Sequence, residues 1–270
     1  MSLASTALLY GIGIMTGTVG AMLGIGGGVF LIPFLVLVVG LPMHQAIATS
    51  IIAVIATSSA GAALNLERGT VNIRLGMTLE IATVAGAILG GVTANYLSGS
   101  VLTKIFASLL LVVAVLMIRN LRQGNNKQSY RTDGRFRAEF PDTASGTTVT
   151  YSVHRMPGAL AVSVLAGNIS GLLGVGGGIF KVPAMHLISG VPIKAATATS
   201  NFMIGVTAAA SAFIYFAHGH LNPQIAASAS LGVLTGSMFG VYINRRIHPT
   251  HLNWIFAGVL FLIAVRMFFR

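Results

Sequence analysis

The chain has 270 residues, of which 54% are hydrophobic and only 8% are charged, and its formal net charge is +11. Soluble domains carry about 25% charged residues, so this composition excludes an ordinary soluble enzyme, a coiled coil and a disordered protein. The apolar residues form long runs, such as 102–118, instead of alternating with polar residues as in β-barrel strands. The sequence therefore predicts an all-α integral membrane protein.

Apolar runs and the residues that interrupt them predict a series of helices along the chain. These helices lie at 3–23, 29–40, 45–66, 76–97 and 101–119 in the first half and at 157–173, 179–190, 195–216, 224–246 and 251–269 in the second. A helix needs about 20 residues to cross a bilayer, so 29–40 and 179–190 are too short for a full crossing. We interpret each as a half-helix or re-entrant limb and expect about 8–10 membrane segments in all.

A polar segment, 120–156, separates the two apolar halves. Alternation of polar and apolar residues at 135–140 and 147–154 predicts a small β-hairpin within it, and a flexible linker is the alternative. The positive-inside rule places this segment in the cytoplasm, because basic residues are concentrated around it. These basic residues are Arg119, Arg122, Lys127, Arg131, Arg135, Arg137 and Arg155. Their position between membrane segments favours contact with lipid headgroups over a nucleic acid partner.

The two halves repeat one pattern at an offset of 150 residues. GIGGGVFLIP at 24–33 returns as GVGGGIFKVP at 174–183, and each copy is followed by Gly-x-Pro and then by Ala-Thr-Ser. The alignment needs no gap from Gly17 to Arg119. The duplication predicts a first membrane repeat at 1–119 and a second membrane repeat at 157–270.

Basic residues in corresponding loops indicate how the two repeats are oriented. The loop 67–75 contains Arg68 and Arg74, whereas its counterpart 217–225 contains no Lys or Arg. Conversely, the turn 96–100 has no basic residue, whereas Arg245 and Arg246 lie at the corresponding turn. This exchange predicts two inverted repeats, each with an odd number of crossings. A parallel repeat of four spans is the alternative.

Glycine breaks in the short segments suggest a binding site for an anion. The amides that open a helix after such a break lack partners within the helix and form its partially positive end. We expect the two breaks to meet near the membrane midplane with neighbouring side chains as further donors, although glycine runs can also serve close helix packing. The predicted ligands are Gly26, Gly27, Gly28, Thr49, Ser50, Gly176, Gly177, Gly178, Lys181, Thr199, Ser200 and Asn201.

Three ionisable side chains in the predicted spans need a specific reason, because such groups are costly in a membrane. Lys181 follows the second break by three residues and could bind the anion or extend its ammonium to the headgroups. Glu80 is the acidic residue within a predicted span, and it is the carboxylate available for proton coupling unless it lies at the interface. His186 could also carry a coupled proton, and a packed neutral histidine is the alternative.

The repeated glycine motif, with its following Gly-x-Pro and Ala-Thr-Ser, resembles the TauE/SafE family of sulfite exporters. The resemblance covers both repeats and omits only the polar middle segment. It implies a multi-pass protein of the bacterial inner (plasma) membrane, built as a duplicated helical bundle. It also implies export of sulfite and organosulfur anions such as sulfoacetate.

From these observations we predict a secondary transporter that exports small sulfur-containing anions by alternating access. A passive anion channel of the same fold and a membrane-embedded partner of sulfur metabolism are the alternatives. The chain lacks GxSxG, HExxH and paired intramembrane carboxylates, so we expect no enzyme activity, no cofactor and no metal. The predicted partners are the anion and the lipid bilayer, and the sequence indicates no particular oligomeric state.

Overall fold

The computed structural model describes residues 3–23, 27–122, 136–142, 147–244 and 249–269. Its first five helices are α1 (Leu3–Leu23), α2 (Gly28–Leu37), α3 (Met43–Glu67), α4 (Ile73–Tyr96) and α5 (Gly99–Arg122). Two strands follow, β1 (Phe136–Asp142) and β2 (Thr147–Val153). The second set of helices is α6 (Met156–Leu173), α7 (Gly178–Pro183), α8 (Ile193–Ala217), α9 (Pro223–Asn244) and α10 (Pro249–Phe268).

Six of the described helices are long and apolar enough to cross a membrane, judged by length and composition. These candidate spans lie in α1, α3, α4, α5, α6 and α8. Shorter apolar helices include both limbs that the sequence marks as too short for a crossing, Gly28–Leu37 and Gly178–Ile188. The chain is therefore an all-α integral membrane protein, as its composition predicts.

The two short limbs differ in backbone form. The limb α2 is α-helical to Leu37, whereas α7 passes at Pro183 into one π-helical turn, Ala184–Ile188. Proline cannot donate a backbone hydrogen bond and so weakens the helix around it. Pro33 occupies the aligned position in α2 without a π turn, so proline alone does not produce the difference. Both limbs end before the predicted limits, and Gly40 and Gly190 then adopt positive φ angles of 75° and 71°.

Helices of the first half pack against helices of the second half. The closest pairs are α1 with α9 and α4 with α6, followed by α5 with α10 and α3 with α8. A Cβ atom on Gly86 or Gly90 would overlap the backbone of α6, and one on Gly167 or Gly171 would overlap that of α4. Glycines on α1 and α9 are equally close to the partner backbone. Such contact gains dispersion energy where lipid offers no hydrophobic drive for helix association.

The glycine contacts also give the relative directions of the helices. Gly86 meets Val164 and Gly90 meets Asn168, so residue numbers rise together along α4 and α6 and the pair is parallel. The pair α1 and α9 is parallel for the same reason. In contrast, Gly205 faces Ser58 and Gly61 faces Asn201, so α3 and α8 are antiparallel.

The two strands form an antiparallel hairpin that packs against one end of the helices. Its register pairs Phe136 with Val153 and Asp142 with Thr147. Phe140, Tyr151 and Val153 are buried in a cluster with residues from α4, α6, α8 and the π turn. A second and larger cluster fills the space between the helices around α2, α3, α5 and α10. The hairpin is therefore fastened to the start of α4 and the start of α8.

Candidate functional site

The two glycine breaks lie against each other in the structure. A Cβ atom on Gly28 would stand 2.6 Å from Ser50 Oγ and 2.9 Å from the carbonyl oxygen of Gly174. Ser50 Oγ donates a hydrogen bond to that same carbonyl over 2.9 Å. The start of α2 thus meets the break before α7, with α3 joining them. Gly26 lies outside the described residues.

The second break has the backbone angles that favour glycine. Gly174, Gly176 and Gly177 have φ angles of 67°, 83° and 67°, in the left-handed region that other residues resist. Gly177 precedes α7, and its carbonyl accepts hydrogen bonds from the amides of Phe180 and Lys181. Gly27 precedes α2 with a φ angle of −64°, so the residue before α2 is right-handed, unlike Gly177 before α7.

Hydroxyl groups next to the breaks play different parts. Ser200 Oγ is buried without a hydrogen-bond partner and lies 3.4 Å from where a Cβ atom on Gly178 would be. Thr49 is also buried. Thr199 Oγ1 instead accepts a hydrogen bond from the backbone amide of Asn72 at 3.0 Å, toward the hairpin end of the helices. The structure therefore places Ser50 and Ser200 beside the glycines and engages Thr199 elsewhere.

Asn201 is partly buried, and its backbone carbonyl accepts a hydrogen bond of 2.6 Å from Ser58 Oγ. This bond links α3 to α8. The side-chain amide of Asn201 faces Gly61. Asn201 thus contributes to the contact between the two antiparallel helices.

Lys181 and Glu80 form a buried ion pair, which is the main feature that the sequence does not predict. Lys181 Nζ lies 3.7 Å from Glu80 Oε2, and the side chains are 1% and 6% exposed. Thr207 connects the two groups, because Lys181 Nζ donates to its Oγ1 at 2.9 Å and that hydroxyl donates to Glu80 Oε1 at 2.6 Å. Glu80 Oε2 has no hydrogen bond. Both side chains are buried among the helices, so neither group is exposed at the protein surface.

His186 takes a local role in the structure. It lies in the π turn, and its Nδ1 is 2.8 Å from the carbonyl oxygen of Val191. The ring therefore stabilises the end of the second limb and is not hydrogen-bonded to Glu80 or Lys181. Among the described residues, no group of three or more His, Asp or Glu side chains could hold a metal ion.

The alignment of the two halves contains a signal for the ion pair, although not for its geometry. The positions that correspond to Lys181, Glu80 and Thr207 are Leu31, Ser230 and Thr57 at the 150-residue offset. The threonine is shared, and each charged residue is matched by a neutral one. Lys181 and Glu80 have opposite charges, and neither has a charged residue at the aligned position of the other half. This shared asymmetry is the sequence signal that could have indicated their contact.

Comparison with known proteins agrees with this architecture. The family model described as "Sulfite exporter TauE/SafE" matches residues 9–267. The "Probable membrane transporter protein YunE" of Bacillus subtilis (strain 168) is 28% identical, over 98% of this chain and 98% of its own. A "Probable membrane transporter protein" of Xylella fastidiosa (strain 9a5c) is 27% identical, over 100% of this chain and 97% of its own. No solved structure matches significantly.

Proposed function

This chain belongs to the sulfite exporter TauE/SafE family of membrane transporters, and from that premise we propose that it is a secondary transporter of small sulfur-containing anions. It exports sulfite or organosulfonates by alternating access between two inverted repeats. The protein resides in the inner (plasma) membrane, with the central segment and its hairpin in the cytoplasm. The family and its transporter relatives support the general activity, and the substrate and mechanism rest on the site described above.

The contact between the two glycine breaks carries the proposal. In this site the first amides of α2 and α7 supply partial positive charge, and Ser50 and Ser200 supply hydroxyl donors. Ser200 Oγ supports the assignment because it is buried beside Gly178 with no partner. Lys181 adds a full positive charge three residues after the second break. Gly27, Gly176, Gly177 and Thr49 complete the proposed lining, whereas Thr199 bonds Asn72 and Asn201 bonds Ser58.

Helix directions support the inverted relation of the repeats. The helix α8 is the counterpart of α3 in the 150-residue alignment, and the two are antiparallel where they touch. Two helices related by an axis along the membrane normal would run parallel, whereas an axis in the membrane plane relates antiparallel ones. In the same alignment α6 is the counterpart of α1 and α9 is the counterpart of α4. The pair α1–α9 therefore corresponds to the pair α6–α4, and both pairs are in contact. An inverted repeat lets the two halves rock about a shared central site.

A flux assay with purified protein in proteoliposomes tests this function. Uptake of radiolabelled sulfite, thiosulfate and sulfate is measured with and without an imposed pH gradient. We expect saturable uptake of at least one of these anions. Lys181→Ala should lower it by about ten- to a hundredfold, because a hydrogen bond to a charged group is worth about 1.5–3 kcal/mol.

Two control variants isolate the role of the ammonium group. Lys104→Ala removes an exposed lysine at the start of α5 and should leave uptake unchanged. Glu80→Gln with Lys181→Ala removes both charges, so no unpaired charge remains to unfold the protein. Uptake that never saturates and carries current would identify a channel instead. Absence of flux for all three anions would reject sulfite and its inorganic analogues as substrates.

A further inference from the structure

The buried ion pair is neutral as a unit, and it is a singular feature of the molecule. Among the residues that the structure describes, Glu80 and Lys181 are the only charged side chains that the protein buries. They come from different halves of the chain, since Glu80 lies on α4 and Lys181 on α7. The ammonium group of Lys181, a residue that follows the second glycine break by three positions, is therefore already matched by a carboxylate before any substrate arrives.

An arriving anion changes this balance. Two negative charges would then share one ammonium group in a medium of low dielectric constant, and the unmatched charge would be strongly disfavoured. The site returns to neutrality if Glu80 takes up one proton. Lys181 then pairs with the anion, while Glu80 becomes an uncharged carboxylic acid. Anion binding and protonation of Glu80 thus favour each other.

Thr207 gives the proton a defined place without rearrangement of the heavy atoms. Its Oγ1 lies 2.6 Å from Glu80 Oε1 and 3.1 Å from the backbone carbonyl of Met203, so its single proton has two acceptors. With Glu80 ionised, the hydroxyl donates to Oε1. With Glu80 protonated on Oε1, the carboxylic acid donates to Thr207, and the hydroxyl turns to Met203. Lys181 Nζ can donate to Thr207 in both arrangements.

On the premise of the proposed function, we propose that each anion crosses the membrane together with one proton carried on Glu80. Water on the side that the site faces supplies the proton, and Glu80 releases it to water on the other side. The loaded site holds protonated Glu80, the Lys181 ammonium and the anion, whereas the empty site holds the Glu80–Lys181 ion pair. The direction of net transport follows the combined gradients of proton and anion, so export requires an outward anion gradient larger than any inward proton gradient.

Other ionisable groups near the pair are engaged elsewhere. The helix α6, which packs against α4 and α7, contains no ionisable side chain. In the π turn, His186 is hydrogen-bonded to the carbonyl oxygen of Val191. On α8, Tyr215 donates to the carbonyl of Leu172, and Lys194 lies at the helix start. The hairpin that packs on α4 carries Arg137 and Glu139, which are exposed and 3.8 Å apart. Arg74 lies in the first turn of α4.

Proton movement can be measured directly in proteoliposomes that hold a pH-sensitive dye. Labelled methanesulfonate is a suitable probe because it carries a single negative charge that does not change near neutral pH, so one proton on Glu80 restores neutrality. With the membrane potential clamped at zero, one proton per anion means that a gradient of one pH unit drives about tenfold accumulation. We expect the dye to report one proton for each anion taken up. Accumulation without proton movement would overturn the proposal.

Variants separate coupling from anion binding. Glu80→Gln imitates the protonated acid and should still exchange labelled for unlabelled methanesulfonate, while accumulation driven by the pH gradient is lost. Thr207→Val removes the bridge and should weaken the coupling. Thr57→Val changes the aligned threonine of the first half and is the matched control.

The outcomes distinguish the two proposals. Exchange of anion without any response to pH overturns proton coupling and leaves the transporter function in place. Absence of exchange in the wild-type protein overturns both. If Glu80→Gln fails to fold, the proton count of the wild-type protein decides the question. A Glu80→Gln variant that retains pH-driven accumulation would contradict the role of Glu80.

Discussion

The two halves of the molecule share their packing but not their charge. Both halves contain a glycine break, a short limb with a proline, and a long helix that begins after Gly-x-Pro. Lys181, Glu80 and Thr207 form the buried network, whereas the aligned positions hold Leu31, Ser230 and Thr57. Several glycines at the backbone contacts occur at aligned positions, such as Gly86 and Gly236, whereas neither charged residue has a charged counterpart. Duplication thus supplies a framework in which one copy can diverge.

The two ends of the helices also differ in what covers them. Asn72 and Asn222 are aligned, and each side-chain oxygen accepts hydrogen bonds from the first amides of the following helix. The hairpin lies over the end that includes Asn72, and Tyr151 OH accepts a hydrogen bond from its side chain. The end that includes Asn222 instead borders an open depression of about 550 Å³. The start of α4 is therefore covered by the hairpin, whereas the aligned start of α9 borders an open depression.

The difference in buried charge between the two halves can be reduced by placing a lysine in the first half. Leu31 is fully buried, so Leu31→Lys introduces an ammonium group with no carboxylate nearby. We expect destabilisation by about 3–5 kcal/mol, the cost of an uncompensated buried charge. Adding Ser230→Glu, the aligned position of Glu80, should recover a large part of that loss. Thermal unfolding in detergent measures both effects.

A double-mutant cycle evaluates this transplanted pair. Ser230→Glu alone should also destabilise, because it buries an unpaired carboxylate. If the introduced lysine and glutamate meet as Lys181 and Glu80 do, the summed losses of the two single changes should exceed the loss of the double change. Additive losses would show that the two halves are less alike in packing than their alignment indicates.

Close packing of glycines is the shared property, and a bulky side chain should disturb it in either half. A leucine at Gly86 would collide with the backbone of Val164, and a leucine at Gly236 would collide with that of Ile14. We expect each variant to lose about 1–3 kcal/mol or more, because the helices must separate. Gly11→Leu is the control, since no atom lies within 4 Å of its Cβ position. If all three variants had the same melting temperature, close packing of these glycines would not explain the stability of the helix pairs.

The sequence predicts the helices well because apolar runs and their breakers are local signals. Nine of the ten described helices begin and end within three residues of the predicted limits, and α7 does so when the π turn to Ile188 is counted with it. The sequence does not predict the contact between Glu80 and Lys181, since 101 positions separate them and only the packing of α4 beside α7 and α8 joins them. It does not predict the π turn after Pro183 either, because Pro33 occurs in the same pattern without one.

Ser50 and Ser200 should respond differently to the same substitution. Ser50→Ala removes the hydrogen bond to Gly174, so we expect a loss of about 1 kcal/mol in the free energy of unfolding. Ser200 Oγ has no partner, so Ser200→Ala should leave stability unchanged and weaken the apparent affinity for the anion. Melting temperature and the concentration for half-maximal uptake are the two measurements. Unchanged affinity in Ser200→Ala would remove this hydroxyl from the proposed site.

The hairpin end should lose stability at alkaline pH. Burial raises the pKa of Tyr151, and the hydrogen bond from Asn72 opposes this only partly. Because the folded protein holds the phenol proton more tightly, its contribution is present below the usual pKa of about 10 and is lost as pH rises through the raised value. Tyr151→Phe should remove this alkaline loss, at a cost of about 1 kcal/mol at neutral pH. Melting curves between neutral and alkaline pH compare the two proteins, and parallel curves would contradict the prediction.

The end of the helices that includes Asn222 should instead lose stability at acidic pH. Burial lowers the pKa of His220, and the neighbouring His44 and His218 lower it further. The rings of His44 and His220 are stacked with their centres 4.7 Å apart, and His220 Nε2 lies 3.0 Å from Asn95 Oδ1. Because the folded protein resists protonation of His220, the stability from this contact is present above about pH 6.5 and is lost as pH falls through the lowered value.

His220→Gln provides the comparison for this acid response, because it keeps a donor for Asn95 and removes the titrating ring. The difference in melting temperature between wild type and His220→Gln should favour the wild type at neutral pH and shrink on acidification. We expect the smallest effect of the series here, because the ring is partly exposed and water screens its neighbours. A difference that stays constant across this pH range would mean that protonation of His220 is not linked to the stability of the fold. Tyr151→Phe retains His220 and should keep the acid response of the wild type, so the two variants together assign each pH limit to one end of the molecule.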